Sequence, residues 1–221
     1  MKLSIIIPVY NEKDFIEKLV NIVKGIDIQK EIIVVDDFSK DGTQEILKRI
    51  DGIKVIFHER NKGKGSAIRT GLKYAEGDYT IIQDADFEYS PEDIPVLFKY
   101  AIEKNLSAVY GSRFKGKGRF LPHSYFANRV LTILTDILFG GNISDMETCY
   151  KLVKTDILKG LKLESSRFDI EPEITAKLLR KGIKIRELPI HYKGRTEKEG
   201  KKIHWKDAVI AIMVLFKIWL K

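Results

Sequence analysis

The chain has 221 residues, enough for one large domain or two small ones, and a hydrophobic content of 44% suffices for a packed core. Lys and Arg number 39 against 31 Asp and Glu, and the net charge of +8 favours an anionic partner: nucleic acid, anionic lipid or a phosphorylated substrate. The single cysteine, Cys149, excludes a disulfide framework and points to an intracellular setting. No signal peptide is visible, and no stretch reaches the ~20 apolar residues of a membrane-spanning helix.

Strand-like and helical runs alternate through the first half. Leu3–Pro8 reads as a strand, Glu12–Lys24 as a helix with Phe15, Leu19, Ile22 and Val23 on one face, and Ile32–Val35 as a strand. Helix 41–50, strand 53–57 and helix 64–75 follow. Then come strand 79–82, helix 91–104 and strand 107–110. This order predicts an α/β fold: a mostly parallel sheet covered on both faces, with the C-terminal strand ends on one rim. Four loops meet there: Pro8–Glu12, Asp36–Thr43, Asn61–Gly65 and Asp84–Glu88. Together their donors, acids and glycines look like a nucleotide site, although neither a dinucleotide fingerprint nor a P-loop is present.

The stretch Asp84-Ala85-Asp86-Phe87-Glu88 carries the most chemistry. Ligands of open α/β sheets bind at the strand end where these acids lie. Crowded carboxylates repel one another unless a cation sits among them, and Mg²⁺ or Mn²⁺ shared with substrate phosphates suits such oxygen donors. Ser90-Pro91-Glu92-Asp93 reads as a helix start, with Glu92 and Asp93 as capping or solvated acids. Asp36 and Asp41 also have a bland reading as caps of the next helix.

In the second half, Arg113 follows a strand on the same rim, and its planar fork suits phosphate. Residues 124–139 read as a helix with a broad apolar surface. Residues 168–179 open and continue a helix, and 183–188 form a strand. Trp205–Leu220 is a final apolar helix, too short to span a bilayer, that either packs on the domain or lies in the membrane interface. The histidines show no metal-ligand spacing. Nucleic-acid binding fits only the charge, because no recognised module or aromatic platform is present.

Ile5-Ile6-Ile7-Pro8-Val9-Tyr10-Asn11-Glu12, the Val34–Thr43 run, Asn61–Gly65 and Asp84-Ala85-Asp86 match family 2 glycosyltransferases of the GT-A fold in order and spacing. With Tyr110-Gly111-Ser112-Arg113 the sequence resembles the dolichol-phosphate mannose synthase-like, polyprenyl-phosphate branch. The resemblance covers residues 3 to about 205. It implies a GT-A domain over 1–204, with a donor half to about 111 and an acceptor half after it, and a separate C-terminal helix over 205–221. It implies transfer of a sugar, with inversion, from a nucleoside-diphosphate sugar such as GDP-mannose or a UDP-hexose. The acceptor would be a dolichyl or undecaprenyl phosphate at the cytoplasmic membrane surface, where helices in the 124–139 region would sit.

By the same resemblance, Pro8, Tyr10, Glu12, Val35 and Asp37 hold the base and ribose, with Lys64 and Ala85 also on the donor side. Asp84 meets the sugar or ribose, Asp86 and Glu88 hold the metal, and Arg195 and Lys201 close over the diphosphate. Arg113, with Ser124, positions the acceptor phosphate, and Asp145 stands on the acceptor side. Two alternatives remain at this level. One is transfer to a hydroxyl acceptor with Asp145 as base; the other is a non-catalytic membrane-surface module.

Overall fold

The structure, a computed structural model, describes residues 1–116, 118–195 and 205–220; the side chains of residues 119, 122, 123, 205 and 206 are not described. Its strands are β1 (Leu3–Val9), β2 (Lys30–Asp36), β3 (Lys54–Phe57), β4 (Tyr79–Ile82), β5 (Ala108–Ser112), β6 (Gly118–Arg119), β7 (Lys151–Lys154), β8 (Ile185–Pro189) and β9 (Tyr192–Lys193). Its helices are α1 (Ile16–Gly25), α2 (Thr43–Leu47), α3 (Lys64–Tyr74), α4 (Ile94–Glu103), α5 (Pro122–Phe139), α6 (Thr155–Gly160), α7 (Ile170–Arg180) and α8 (Trp205–Trp219).

Strands β1 and β4 are buried along their whole length, as expected of strands packed on both faces. The main sheet runs β3-β2-β1-β4-β7-β5-β8. The sheet is mostly parallel, as the sequence predicts; β7 lies between β4 and β5, antiparallel to both. The other six strands share one direction, so the expected rim survives the insertion.

Local differences have local causes. Helix α1 starts at Ile16 rather than Glu12, after a turn in which the Glu12 carbonyl accepts from the N–H groups of Phe15 and Ile16. The helix expected over 91–104 begins as a single 3-10 turn, Pro91–Asp93, before α4. Pro95, at the start of α4, has no N–H to bridge the two. Asp93 is no solvated cap: its carboxylate is buried and accepts from the backbone N–H and Nδ1 of His191.

Two cores result. The larger fills the space around the main sheet. The smaller gathers Leu131, Ile143, Met146, Ala176, Leu215 and Ile218, so α8 packs against α5 and α7 rather than standing apart. The outer faces of α5 and α8 nevertheless remain apolar, with Phe126 71%, Ile137 74% and Met213 57% exposed. Among the described residues, no helix is long and apolar enough to cross a membrane.

Candidate active site

The acidic turn leaves the end of β4 at the rim. Asp84 receives Lys64 Nζ at 2.7 Å on Oδ1 and 2.9 Å on Oδ2. Burial alone would lower the Lys64 pKa. Asp84, then Cys149 and Glu171, outweigh it and hold the ammonium well above its ordinary value. Among the described residues no lysine pairs with Asp86. Burial first, then Asp84 and Glu88, push its pKa up to about 7, against a smaller opposing effect of Arg195. Ala85, between the two acids, is buried.

Arg195 folds over this turn. Its Nη2 donates to the Asp86 carbonyl at 2.6 Å, its guanidinium lies 3.4 Å from Glu12 Oε2, and it stacks over the Phe15 ring at 4.6 Å. Glu88, expected at the metal, also latches the strand that delivers Arg195. Its Oε1 accepts from the Arg195 backbone N–H at 2.7 Å and its Oε2 from the Tyr192 hydroxyl at 3.0 Å. Among the described residues no three His, Cys, Asp or Glu side chains converge as a ready-made metal cage. Asp86, short of positive charge, fits the other arrangement, in which a hard ion takes one or two carboxylates and completes its shell with substrate phosphates.

The first two loops pack together. Pro8 pairs with Val35 across β1 and β2, Tyr10 is partly exposed at the strand end, and Glu12 is buried facing Arg195. Asp37, expected at the base, is heavily engaged within the protein. Its Oδ1 accepts from His58 Nδ1 at 2.7 Å and Lys62 N at 2.8 Å, and its Oδ2 from Gly63 N at 2.7 Å. It therefore ties the end of β2 to the 61–63 loop. Asp36 Oδ2 accepts from Ser39 N and Gln44 Nε2, while its buried Oδ1 has no partner. Asp41 precedes the N-cap Gly42 and accepts from the Thr43 N–H and hydroxyl at the start of α2.

On the acceptor side, Arg113 and Asp145 are one unit. The guanidinium meets the carboxylate as a fork, Nε at 2.8 Å and Nη2 at 2.7 Å, and the Arg113 backbone N–H adds a third bond at 2.9 Å. Both are buried, 5% and 0% exposed. Burial disfavours the Arg113 charge, but Asp145 more than restores it, so its pKa lies above the ordinary value. Glu187 in turn holds the 144–145 backbone, accepting from Ser144 N at 2.8 Å and Asp145 N at 3.1 Å. The rings of Phe114, Phe120 and Tyr192 lie within cation–π range of Arg113. Ser124 sits in the first turns of α5, half-buried. Lys201 lies outside the described residues.

Sequence reasoning missed His58, Tyr192, Glu187 and the pair Lys151–Glu171. Each acts through a partner distant in the chain. One signal was available: Lys151 opens a strand after the buried Cys149 and Tyr150, where a lysine needs a buried counter-ion.

The sheet and its acid-lined rim define a nucleotide-diphospho-sugar transferase architecture, the GT-A fold. Residues 4–161 match the family model Glycosyl transferase family 2, and the chain belongs to that family. It is 32% identical over 92% of its length to a dolichol-phosphate mannosyltransferase of Pyrococcus furiosus, but spans only 61% of that protein. It is 30% identical to a UDP-N-acetylglucosamine--dolichyl-phosphate N-acetylglucosaminyltransferase of Methanococcus voltae, over 84% of this chain and 83% of the relative. Among solved structures, glucosyl-3-phosphoglycerate synthase of Mycobacterium tuberculosis with Mn²⁺, UDP and phosphoglyceric acid superposes with a TM-score of 0.76. That match is 18% identical and covers 99% of this chain and 78% of the other, so it speaks to the fold.

Proposed function

We propose that the protein transfers a sugar from a nucleoside-diphosphate sugar to a polyprenyl phosphate at a membrane surface. The observation that carries this reading is the Arg113–Asp145 fork. Asp145 gives both oxygens to Arg113, so it is poorly placed to act as a general base. A hydroxyl acceptor needs such a base, whereas a phosphate is already an anion and needs positioning. Arg113 spends two of its five N–H groups on Asp145, and the rest would meet the acceptor phosphate. The neighbouring rings would exclude water there.

The donor would lie across the first, second and fourth loops. Pro8, Tyr10, Glu12, Val35 and Asp37 would frame the base and ribose, and Asp84 would meet the sugar or ribose. Mg²⁺ or Mn²⁺ would be held by Asp86 and by the lone pairs that Glu88 has left. When bound, the ion would supply Lewis-acid stabilisation of the leaving diphosphate. Arg195, already stacked over Phe15 beside the acidic turn, would meet the same charge from the other side, with Lys201 as a second cation. The names of the Pyrococcus and Methanococcus relatives agree with a lipid-linked phosphate acceptor, and the apolar faces of α5 and α8 would bring the site to the bilayer.

The test is a donor screen with radiolabelled GDP-mannose and UDP-hexoses, offering polyprenyl phosphate or the corresponding polyprenol in detergent. Label should enter organic-extractable product with the phosphate and not with the alcohol. Transfer to the alcohol or to a glycan, with none to the phosphate from any donor, overturns the reading.

A further inference from the structure

Lys64 bridges the two halves of the molecule. Its Nζ lies 2.7 Å from Asp84 Oδ1, at the donor-side acidic turn, and 3.2 Å from Glu171 Oε1, at the start of α7. Glu171 Oε2 then receives Lys151 Nζ at 2.6 Å. Glu171 and Lys151 have side chains only 5% and 1% exposed. Two ammonium groups and two carboxylates thus alternate in a row, and no solvent separates the members.

The backbone is built to keep this row short. Gly63 has φ of +90°, and a Cβ on it would collide with the Ser166 carbonyl. A Cβ on Gly65 would come within 2.7 Å of the Ser165 carbonyl and 2.9 Å of that of Arg167. Ser66 N donates to the Ser166 carbonyl at 3.1 Å. The glycines of the 61–65 loop are therefore required by the chain that leads into α7. That junction is what sets Glu171 beside Lys64.

We propose that Glu171 is a positioning residue for the donor site: by holding Lys64 it fixes the Asp84 carboxylate, so the acceptor half dictates the geometry of the donor-side acid. Lys64 faces an anion on each side and cannot follow one without leaving the other. Without Glu171, Lys64 is free to move toward the bound diphosphate or out to water, and Asp84 loses its fixed orientation. Buried charges that lose one partner relocate, because the remaining charge is costly to leave unpaired. Glu171 itself is hydrogen-bonded to Lys151 through Oε2 and ion-paired with Lys64 through Oε1, which leaves it no role as a base.

The inference rests on the reading of Asp84 as a donor contact, and the experiment separates the two. Removing Glu171 alone would strand Lys151, so the reference is the full-length chain with Lys151→Met, and the test variant is Lys151→Met/Glu171→Gln. Binding of GDP and UDP with Mn²⁺ is measured by calorimetry, and KM for donor and acceptor by turnover. The test variant should bind nucleotide-sugar donor about tenfold more weakly than the reference, with acceptor KM within about twofold and an unchanged thermal midpoint. A merely structural Glu171 would move the midpoint or both KM values together. Glu171→Asp, which keeps the charge but draws it back by one methylene, gives a second reading should the double variant not fold; it too should weaken the donor alone. Donor KM equal in test variant and reference, or equal in Glu171→Asp and wild type, overturns the inference while leaving the function standing. Failure of the wild type to bind either nucleotide overturns both.

Discussion

Asp86 and Glu147 are both carboxyls pushed up to about 7, mainly by burial, and they call for opposite experiments. Asp86 stands among acids at the rim, where a cation would relieve the repulsion. Asp86→Ala should therefore abolish Mn²⁺-dependent GDP or UDP binding without lowering the thermal midpoint, since it removes a like charge. Unchanged metal-dependent binding in calorimetry would refute the metal assignment. Glu147 is half-buried, but its Oε1 is enclosed and has no hydrogen-bond partner among the described residues. Lys151 and Arg113 pull its pKa down, Glu171 and Asp145 push it up, and burial dominates. The folded state thus holds this proton more tightly than the unfolded chain does. Stability is fullest below the ordinary glutamate value and falls as pH rises from about 4.5 toward about 7. Glu147→Gln should stabilise the protein at pH 8 by up to roughly 3 kcal/mol, with the gain vanishing near pH 4. Denaturant melts at the two pH values measure it, and an equal gain at both would show that the carboxylate is not the cause.

At the scale of elements, Gly63 makes a sharp case. Its positive φ and the nearby Ser166 carbonyl both exclude a side chain. Gly63→Ala should cost about 1–3 kcal/mol from the backbone alone, more with the collision, and should weaken donor binding by shifting Lys64. A melt within a degree of wild type would contradict it. The glycine pattern was visible in the sequence, but its reason was not: the loop looked made for a ligand, and the chain leading into α7 proved to press against it. The same limit governs the rest. The periodicity of α1, α3, α7 and α8 locates these helices because each buries a face of its own sequence. The place of β7 was hidden, since a four-residue strand says nothing about which neighbours it joins, and six-residue α6 is too short to show a period. Within the site, Asp84 and Asp86 stood out by local pattern, and Arg195 by the family resemblance alone. Arg113 and Asp145 were legible singly but not as a fork, because their pairing spans 32 residues.

Taken as a whole, the molecule sets two apolar stripes side by side. Phe126, Val130, Ile133 and Ile137 recur at helical spacing on α5, and Val209, Met213 and Phe216 do so on α8, with Leu220 just past its end; all are exposed. The two helices pack on one shared core, so the stripes lie on neighbouring elements. Lys217 stands exposed on α8, and the net charge is +8. Apolar area flanked by cations fits the interface of an anionic bilayer, with the helices lying in its plane. Each fully buried Ile or Phe contributes about 1.5–3 kcal/mol. Phe126→Ser/Ile137→Ser should therefore weaken partitioning onto phosphatidylglycerol-containing vesicles by at least about tenfold. These positions touch neither core, so donor binding and the thermal midpoint should hold. Turnover on long-chain polyprenyl phosphate in vesicles should fall with partitioning, whereas turnover on a short, water-soluble prenyl phosphate should not. Sedimentation with vesicles that is identical for wild type and variant would remove the bilayer from the account, and a wild type that elutes as a dimer and a variant that elutes as a monomer would assign the stripes to a second copy of the chain.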